Sequence, residues 1–446
     1  MTLGDDTERW VNNEVRHQCP CIVVGADRRL SYELSYSTKW TLLSKVMRSF
    51  HEALVSDENR VGELKEQFTR TKEIFGTVEP FAIFADELQR QVEEMSSNLE
   101  YRLEIDFSAY DPSNFFHALR VLPHQGGEVR TLAELGTGQE QLLALAFAHA
   151  YARAFQRVAG AIAPGLLLVI EEPEAHLHPL AQQWLAQKLR QTSQEGVQVV
   201  VTTHSPAFVN VLDLQGLVLI KKVDESTTAV QLSPADLADR CRKRGGAATP
   251  DTVLAFYGAS ATQELMAGMF ARRICLVEGP TEALALPTYL DRVGLSVVRE
   301  GIAVIPVHGV GNLAKWWRFF SAYEIPVFVI FDNDARGEDA DGTRRADLLS
   351  ALGVGEEAAG DIMRSPEITI SAGFMAFPRM FEATLRELFG AEYEALEAEA
   401  AERFQLNSKP LVARYIAERL ELRAGSPGQE LYGRLAEALS HVAAVI

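Results

Sequence analysis

The chain has 446 residues, 47% hydrophobic and 23% charged, with 43 Lys and Arg against 61 Asp and Glu and a net charge of −18. That length exceeds one ordinary core and implies two or three domains, and the composition is that of a soluble globular protein. The negative balance excludes a protein that coats nucleic acid by general attraction, though not an enzyme that holds it locally where cations neutralise its acids.

No run of eighteen apolar residues occurs, so no spanning helix and no membrane partner are expected. The opening "MTLGDDTERW" is acidic and polar, unlike a secretory segment. Four cysteines (Cys19, Cys21, Cys241, Cys275) are too few for a disulfide framework and fit a reducing, cytoplasmic setting. Cys19-Pro-Cys21 has no partner pair at zinc spacing. The basic clusters at 240–244, 271–273 and 344–345 are of a kind more often solvated than in contact with a ligand.

In chain order, residues 40–75 space apolar side chains every three or four positions and predict amphipathic helix. "LEYRLEIDFSAYDP" (99–112) alternates and predicts a strand ended by Asp-Pro. "LGTGQEQLLALAFAHAYA" (135–152) is a Gly-rich turn opening a helix, whose free N–H groups and positive dipole end suit a phosphate. "LLLVIEEPEAHLHP" (166–179) is an apolar strand ending in Glu171 and Glu172. "VQVVVTTHSP" (197–206) is a second one, ending in His204. Carboxylates at one strand end suit a water-bridged Mg²⁺ and an attacking water, and a His on the next strand suits a phosphate contact.

These three pieces resemble the ABC-type ATPase head of the SMC/Rad50 group. By that resemblance Gly136, Gly138 and Gln139 form the signature turn, Glu171 and Glu172 are the Walker B acids, and His204 is the switch histidine. The phosphate cradle G-x-x-x-x-G-K-[ST] is absent, as is any Gly-Lys dipeptide. Three alternatives stay open: a degenerate head, a cradle in a longer parent chain, or one supplied by another polypeptide. ATP is therefore a doubtful cofactor of this chain alone.

Past a junction at 221–270, strands alternate with helices again: "RICLVE", "IAVIPVHG" and "VFVIFDND". That alternation predicts parallel βαβ units with a ligand site at the strands' carboxyl ends. Glu278 ends the first strand, and Glu282 follows one turn into a helix. Asp332 and Asp334 end the third, two residues apart. Four carboxylates gathered at one sheet edge repel unless cations lie between them, and oxygen ligands without His or Cys select Mg²⁺ or Mn²⁺. Two such ions suit a phosphodiester substrate.

Glu after one strand and Asp-x-Asp after a later one resembles the Toprim domain. Gly309, Gly311 and Asn312 match its tight turn, with Lys315 in the following helix. A Toprim domain directly after an ABC head is the arrangement of the overcoming-lysogenization-defect (OLD) family of nucleases, which includes the Gabija anti-phage endonuclease. The resemblance covers about 20–446. It implies metal-dependent nicking or cleavage of DNA, with Glu278, Glu282, Asp332 and Asp334 as ligands of two ions. It further implies a C-terminal acid, Glu382, and a transition-state lysine, Lys409; Asp339 and Asp341 rank lower as ligands. A homodimer or higher homo-oligomer, a superfamily-one helicase partner and a role in anti-phage defence or DNA processing are also implied.

The fold class expected is α/β: an ABC-ATPase-like head without a P-loop, then a Toprim parallel-sheet domain, then a helical region. The boundaries are 1–235 for the head, with a helical dimerisation insert at about 40–130; 236–270 for a linker; 271–365 for the Toprim domain; and 366–446 for helices completing its site. The competing reading is a non-catalytic ATP-responsive or DNA-clamping module with a structural acid cluster. A Toprim topoisomerase or primase is disfavoured, since no catalytic-Tyr strand-opening domain or zinc module is recognisable.

Overall fold

The computed structural model describes residues 167–446 apart from 224, 335–338, 406–407 and 445–446; before 167 it describes 21–25, 54–80 and short pieces between 41 and 150. Gly136, Gly138 and the strand expected at 99–112 lie outside the described residues. The chain divides into two compact units, 1–203 and 204–446.

In the first unit, β1 (Cys21–Val24) precedes helix α1 (Glu58–Gly76) and a short antiparallel ladder of β2 (His124–Gln125) and β3 (Glu128–Val129). The apolar runs seen in the sequence form β4 (Leu167–Glu171) and β5 (Gln198–Thr202), joined through α2 (Pro179–Gln194). They lie parallel in the order β1-β4-β5. Helix α2 starts where it does because His178 accepts the Ala181 N–H on Nδ1 at 3.2 Å and Pro179 has no N–H to leave orphaned.

The second unit opens with the hairpin β6 (Val218–Val223) and β7 (Ser226–Gln231), then three short helices, α3 (Pro234–Arg242), α4 (Val253–Gly258) and α5 (Gln263–Ala267). Next come β8 (Arg273–Val277), α6 (Pro280–Arg292), β9 (Ile302–Pro306), α7 (Val310–Ala322) and β10 (Val327–Asp332). Helices α8 (Thr343–Ala351) and α9 (Glu356–Arg364), then strands β11 (Thr369–Ile370) and β12 (Phe374–Phe377), complete the sheet region. The chain continues as α10 (Phe381–Phe389), α11 (Ala391–Phe404), α12 (Lys409–Arg419) and α13 (Pro427–His441).

The sheet order is β11-β12-β10-β8-β9, parallel except for the edge strand β11. Alternate residues of each strand serve opposite faces. Ile274, Leu276, Val327, Val329 and Phe331 join the core under α7, whereas Cys275, Val277, Phe328 and Ile330 join the core under α6 and the C-terminal helices. Both faces are covered, which is why β8 and β10 read as unbroken apolar runs and not as alternation.

Helix α7 is apolar on nearly all sides: Leu313, Trp316, Trp317, Phe319 and Phe320 are all buried. Such a helix needs cover on the side away from the sheet. The segment 236–270, expected as a linker, supplies it: Leu237, Ala238, Cys241, Val253 and Tyr257 belong to the same core, and the Tyr257 ring lies 5.0 Å from that of Phe319. On the opposite face Tyr289 stacks on Tyr432 at 4.2 Å, tying α6 to α13. Cys241 and Cys275 are free and buried. The architecture is thus α/β, with parallel sheets and a helical C-terminal region. No helix among the described residues is long and apolar enough to cross a membrane.

Candidate metal centre

The path of the second unit creates its site. From β8 the chain runs to β9 on one side, then returns across β8 to place β10 on the other. The crevice between β8 and β10, at their carboxyl ends, is therefore a switch point where helices leave in opposite directions and a ligand can enter. Glu278 follows β8 and Asp332 ends β10.

These two carboxylates, 54 residues apart in sequence, are held together directly: the Asp332 N–H donates to Glu278 Oε1 at 2.8 Å. Asp332 Oδ2 in turn accepts the Phe381 N–H at 3.1 Å. Phe381 is the first residue of α10, so the positive end of that helix faces Asp332 and carries Glu382 alongside. Glu282, at the third position of α6, accepts the Gly279 N–H on Oε2 at 3.1 Å and closes a capping interaction. The Gly309 N–H donates to the Glu278 carbonyl at 2.9 Å, and Asn312 Nδ2 donates to the Val307 carbonyl at 2.9 Å. The turn needs Gly309, whose φ of 118° a side chain rarely adopts.

Burial and like charge act together on this group. Burial pushes the Asp332 carboxyl well above the usual range, and the neighbouring Glu278, Glu282 and Glu382 push it further. Glu282 is pushed up to about 7, first by burial, then by Glu278 and Glu382. Glu278 is raised by burial, against the opposing hydrogen bond from Asp332 and the positive charge of Arg345, while Asp339 and Asp334 add to the rise. Five of the residues expected from the sequence, Glu278, Glu282, Asp332, Asp334 and Glu382, thus lie within electrostatic reach of others in the set. Among the described residues, however, no three His, Cys, Asp or Glu are already assembled as a coordination shell. The donor chemistry fits a hard divalent cation: the group is all carboxylate, half-buried and self-repelling.

Four expected or lower-ranked positions have other partners or none among these carboxylates' hydrogen bonds. Lys315 is not brought to the carboxylates; its ammonium donates to the Phe256 carbonyl at 2.6 Å and Ser260 Oγ at 2.7 Å, at the end of α4. A cation there meets the last carbonyls of a helix and an aromatic face 4.2 Å away, which accounts for its position. Lys409 opens α12 with an exposed side chain and makes no ion pair with these carboxylates. Asp341 is exposed and accepts the Thr343 N–H at 3.1 Å. Asp339 is buried against Arg345, a residue that sequence reasoning noted only as part of a basic pair.

In the first unit Glu171 ends β4 beside Thr202 of β5. Glu172 turns away with a φ of 42°, its N–H donating to the Thr202 carbonyl at 2.8 Å. A β-carbon on Gly25 would stand 3.7 Å from Glu171 Oε2, so the end of β1 also approaches this acid. Gln139 is helical. His204 falls in the second unit, its ring 6.2 Å from that of Phe270.

The fold and the site define an ATPase-type sheet unit followed by a Toprim unit. Family profiles agree: one described as an AAA ATPase domain matches residues 20–209, and one described as the TOPRIM domain of overcoming lysogenization defect protein-like proteins matches 269–334. The OLD nuclease of Thermus scotoductus is 23% identical over 334 residues, 73% of this chain and 58% of that protein. The Old nuclease of Escherichia phage P2 is 22% identical over 254 residues, 55% of this chain and 42% of that protein. The chain therefore spans about half the length of these relatives. Among solved structures, the C-terminal region of the Xanthomonas campestris pv. campestris OLD protein matches with 19% identity, covering 38% of this chain and 93% of that one. Its TM-score of 0.29 is too low for an argument from shape. With an ATPase-domain match followed by a TOPRIM-domain match, the chain resembles overcoming-lysogenization-defect proteins.

Proposed function

We propose that the chain is a divalent-metal-dependent DNA endonuclease whose centre is the carboxylate group of the Toprim unit. The observation that carries this reading is the Asp332 N–H to Glu278 Oε1 bond, which joins two distant acids at the sheet's switch point. Glu278, Glu282, Asp332 and Asp334 would hold the cations, with Glu382 at the edge of the set. Bound there, divalent ions supply a nucleophilic water at neutral pH and charge neutralisation of the phosphodiester. The chain's own part is orientation. The β8 and β10 ends aim two acids into one crevice, α10 directs its N-terminus at Asp332, and the Gly309 turn fixes the Glu278 backbone.

The two relatives named as nucleases support this assignment of activity, and the ATPase-like unit is assigned dimerisation and regulation by family resemblance. A setting in anti-phage defence, with a homodimer and a helicase partner, rests on that resemblance too. Supercoiled plasmid incubated with the chain and Mg²⁺ or Mn²⁺ is expected to become nicked or linear, and EDTA to stop the conversion. Cleavage that persists undiminished in EDTA would contradict the assignment.

A further inference from the structure

Asn333, between Asp332 and Asp334, is only 7% exposed, whereas its two neighbours are half-buried. It lies one residue past the end of β10, and its bonds reach two further elements. The Asn333 N–H donates to the Phe377 carbonyl at 2.8 Å, which carries the β10–β12 ladder one step beyond the strand. Its side-chain Nδ2 donates to the Ile362 carbonyl at 2.8 Å, in the last turn of α9. A carbonyl there has no partner further along its own helix, so an amide donor is well placed to meet it. The preceding N–H, that of Asp332, points the opposite way to Glu278 Oε1, as successive N–H groups of a strand do. The segment is thus held toward β8 by one backbone bond, and toward β12 and α9 by Asn333.

Asn333 Oδ1 is buried and meets no donor among the described residues. A buried acceptor without a partner destabilises a fold, and a leucine of similar size would not carry that cost. The Ile362 carbonyl keeps a second bond, from the Ser365 N–H at 3.2 Å, so stability does not require the amide. What the amide supplies is a neutral donor; an aspartate would present acceptors only and add charge to a self-repelling set. We propose that Asn333 is a positioning residue of the carboxylate centre: its amide ties the segment between Asp332 and Asp334 to α9, and so fixes the two carboxylates for divalent cations. Bonds made behind a ligand hold that ligand in coordinating geometry. This inference rests on the metal-centre reading.

The test is Mn²⁺ binding to the full chain, measured calorimetrically, with thermal unfolding in EDTA alongside. Wild type binds, and Asn333→Leu, which removes the donor at similar volume, weakens binding about ten- to a hundredfold, the range for lost outer-shell bonds. Its metal-free melting temperature stays at or above the wild-type value, because the orphaned oxygen goes with the donor. A folded Asn333→Leu with unchanged affinity overturns the proposal. A melting temperature that falls together with the affinity makes Asn333 an ordinary core contact and overturns it equally. Should Asn333→Leu not fold, Asn333→Ser, too short to reach the Ile362 carbonyl, carries the test: the same loss of affinity is expected, and wild-type affinity refutes the idea. Wild type that binds no Mn²⁺ removes the metal-centre reading itself, an outcome distinct from an unchanged affinity in Asn333→Leu.

Discussion

Asp332→Asn is expected to lower plasmid cleavage by roughly 10²–10³-fold or more, the scale found when one preorganised electrostatic contact to a transition state is removed. The substitution keeps shape and keeps an oxygen to accept the Phe381 N–H, now at 3.1 Å from Asp332 Oδ2, so α10 stays docked. What it removes is a half-buried carboxylate charge that Glu278, Glu282 and Glu382 already oppose. The metal-free variant should therefore melt at the same temperature as wild type or higher, while its cleavage collapses. Loss of activity with retained stability separates a site residue from a core residue, since core damage lowers both. Cleavage at the wild-type rate by a folded Asp332→Asn protein would remove Asp332 from the chemistry.

The second large effect is on stability. Glu282 has an ordinary value of 4.5 and is pushed up to about 7 in the fold, by burial first and by Glu278 and Glu382 next. The folded chain therefore holds a proton on Glu282 that the unfolded chain has released across this interval. Stability is fully present below about pH 4.5 and is lost as pH rises through about 7, by an amount on the order of 3 kcal/mol for this one group. Asp332 and Glu278 shift in the same direction and add to the fall. In EDTA, the melting temperature of the wild type should drop between pH 5.5 and pH 8. Glu282→Gln should flatten much of that slope, and millimolar Mn²⁺ at pH 8 should restore the wild type but restore the variant less. A melting temperature that rises with pH over this window, or an identical slope in Glu282→Gln, would show that the carboxylates do not repel one another in the fold.

The centre was largely legible in the sequence because its parts sit at the ends of apolar runs. "RICLVE" and "VFVIFDND" mark the strand ends by themselves, since a charge directly after four or five buried residues has nowhere to go but the sheet's carboxyl edge. Gly309 was legible for a similar reason, as a turn residue between a strand and a helix. Glu382 carries no local mark: the Phe381 N–H bond to Asp332 brings it in, and bonds across fifty residues leave no periodic trace. Arg345 was hidden likewise, because a basic pair at a helix start reads as solvated until its partner is seen. The segment 236–270 reads as a linker in the sequence, because its short helices have too few turns each for a hydrophobic period to show. One signal did exist in "WWRFF" (316–320), which is too apolar on every side to leave one face in water. Lys315 sits in that same helix, and its turn toward α4 follows from the cover those short helices provide.

Crystals of the chain soaked in Mn²⁺, with anomalous differences recorded at the manganese edge, would locate the cations directly. The account predicts peaks in the crevice between β8 and β10, within bonding distance of Glu278 and Asp332 and with Asp339 outside the coordination shell. Manganese found only elsewhere, with Glu278 and Asp332 still joined by their backbone bond and no ion beside them, would contradict it.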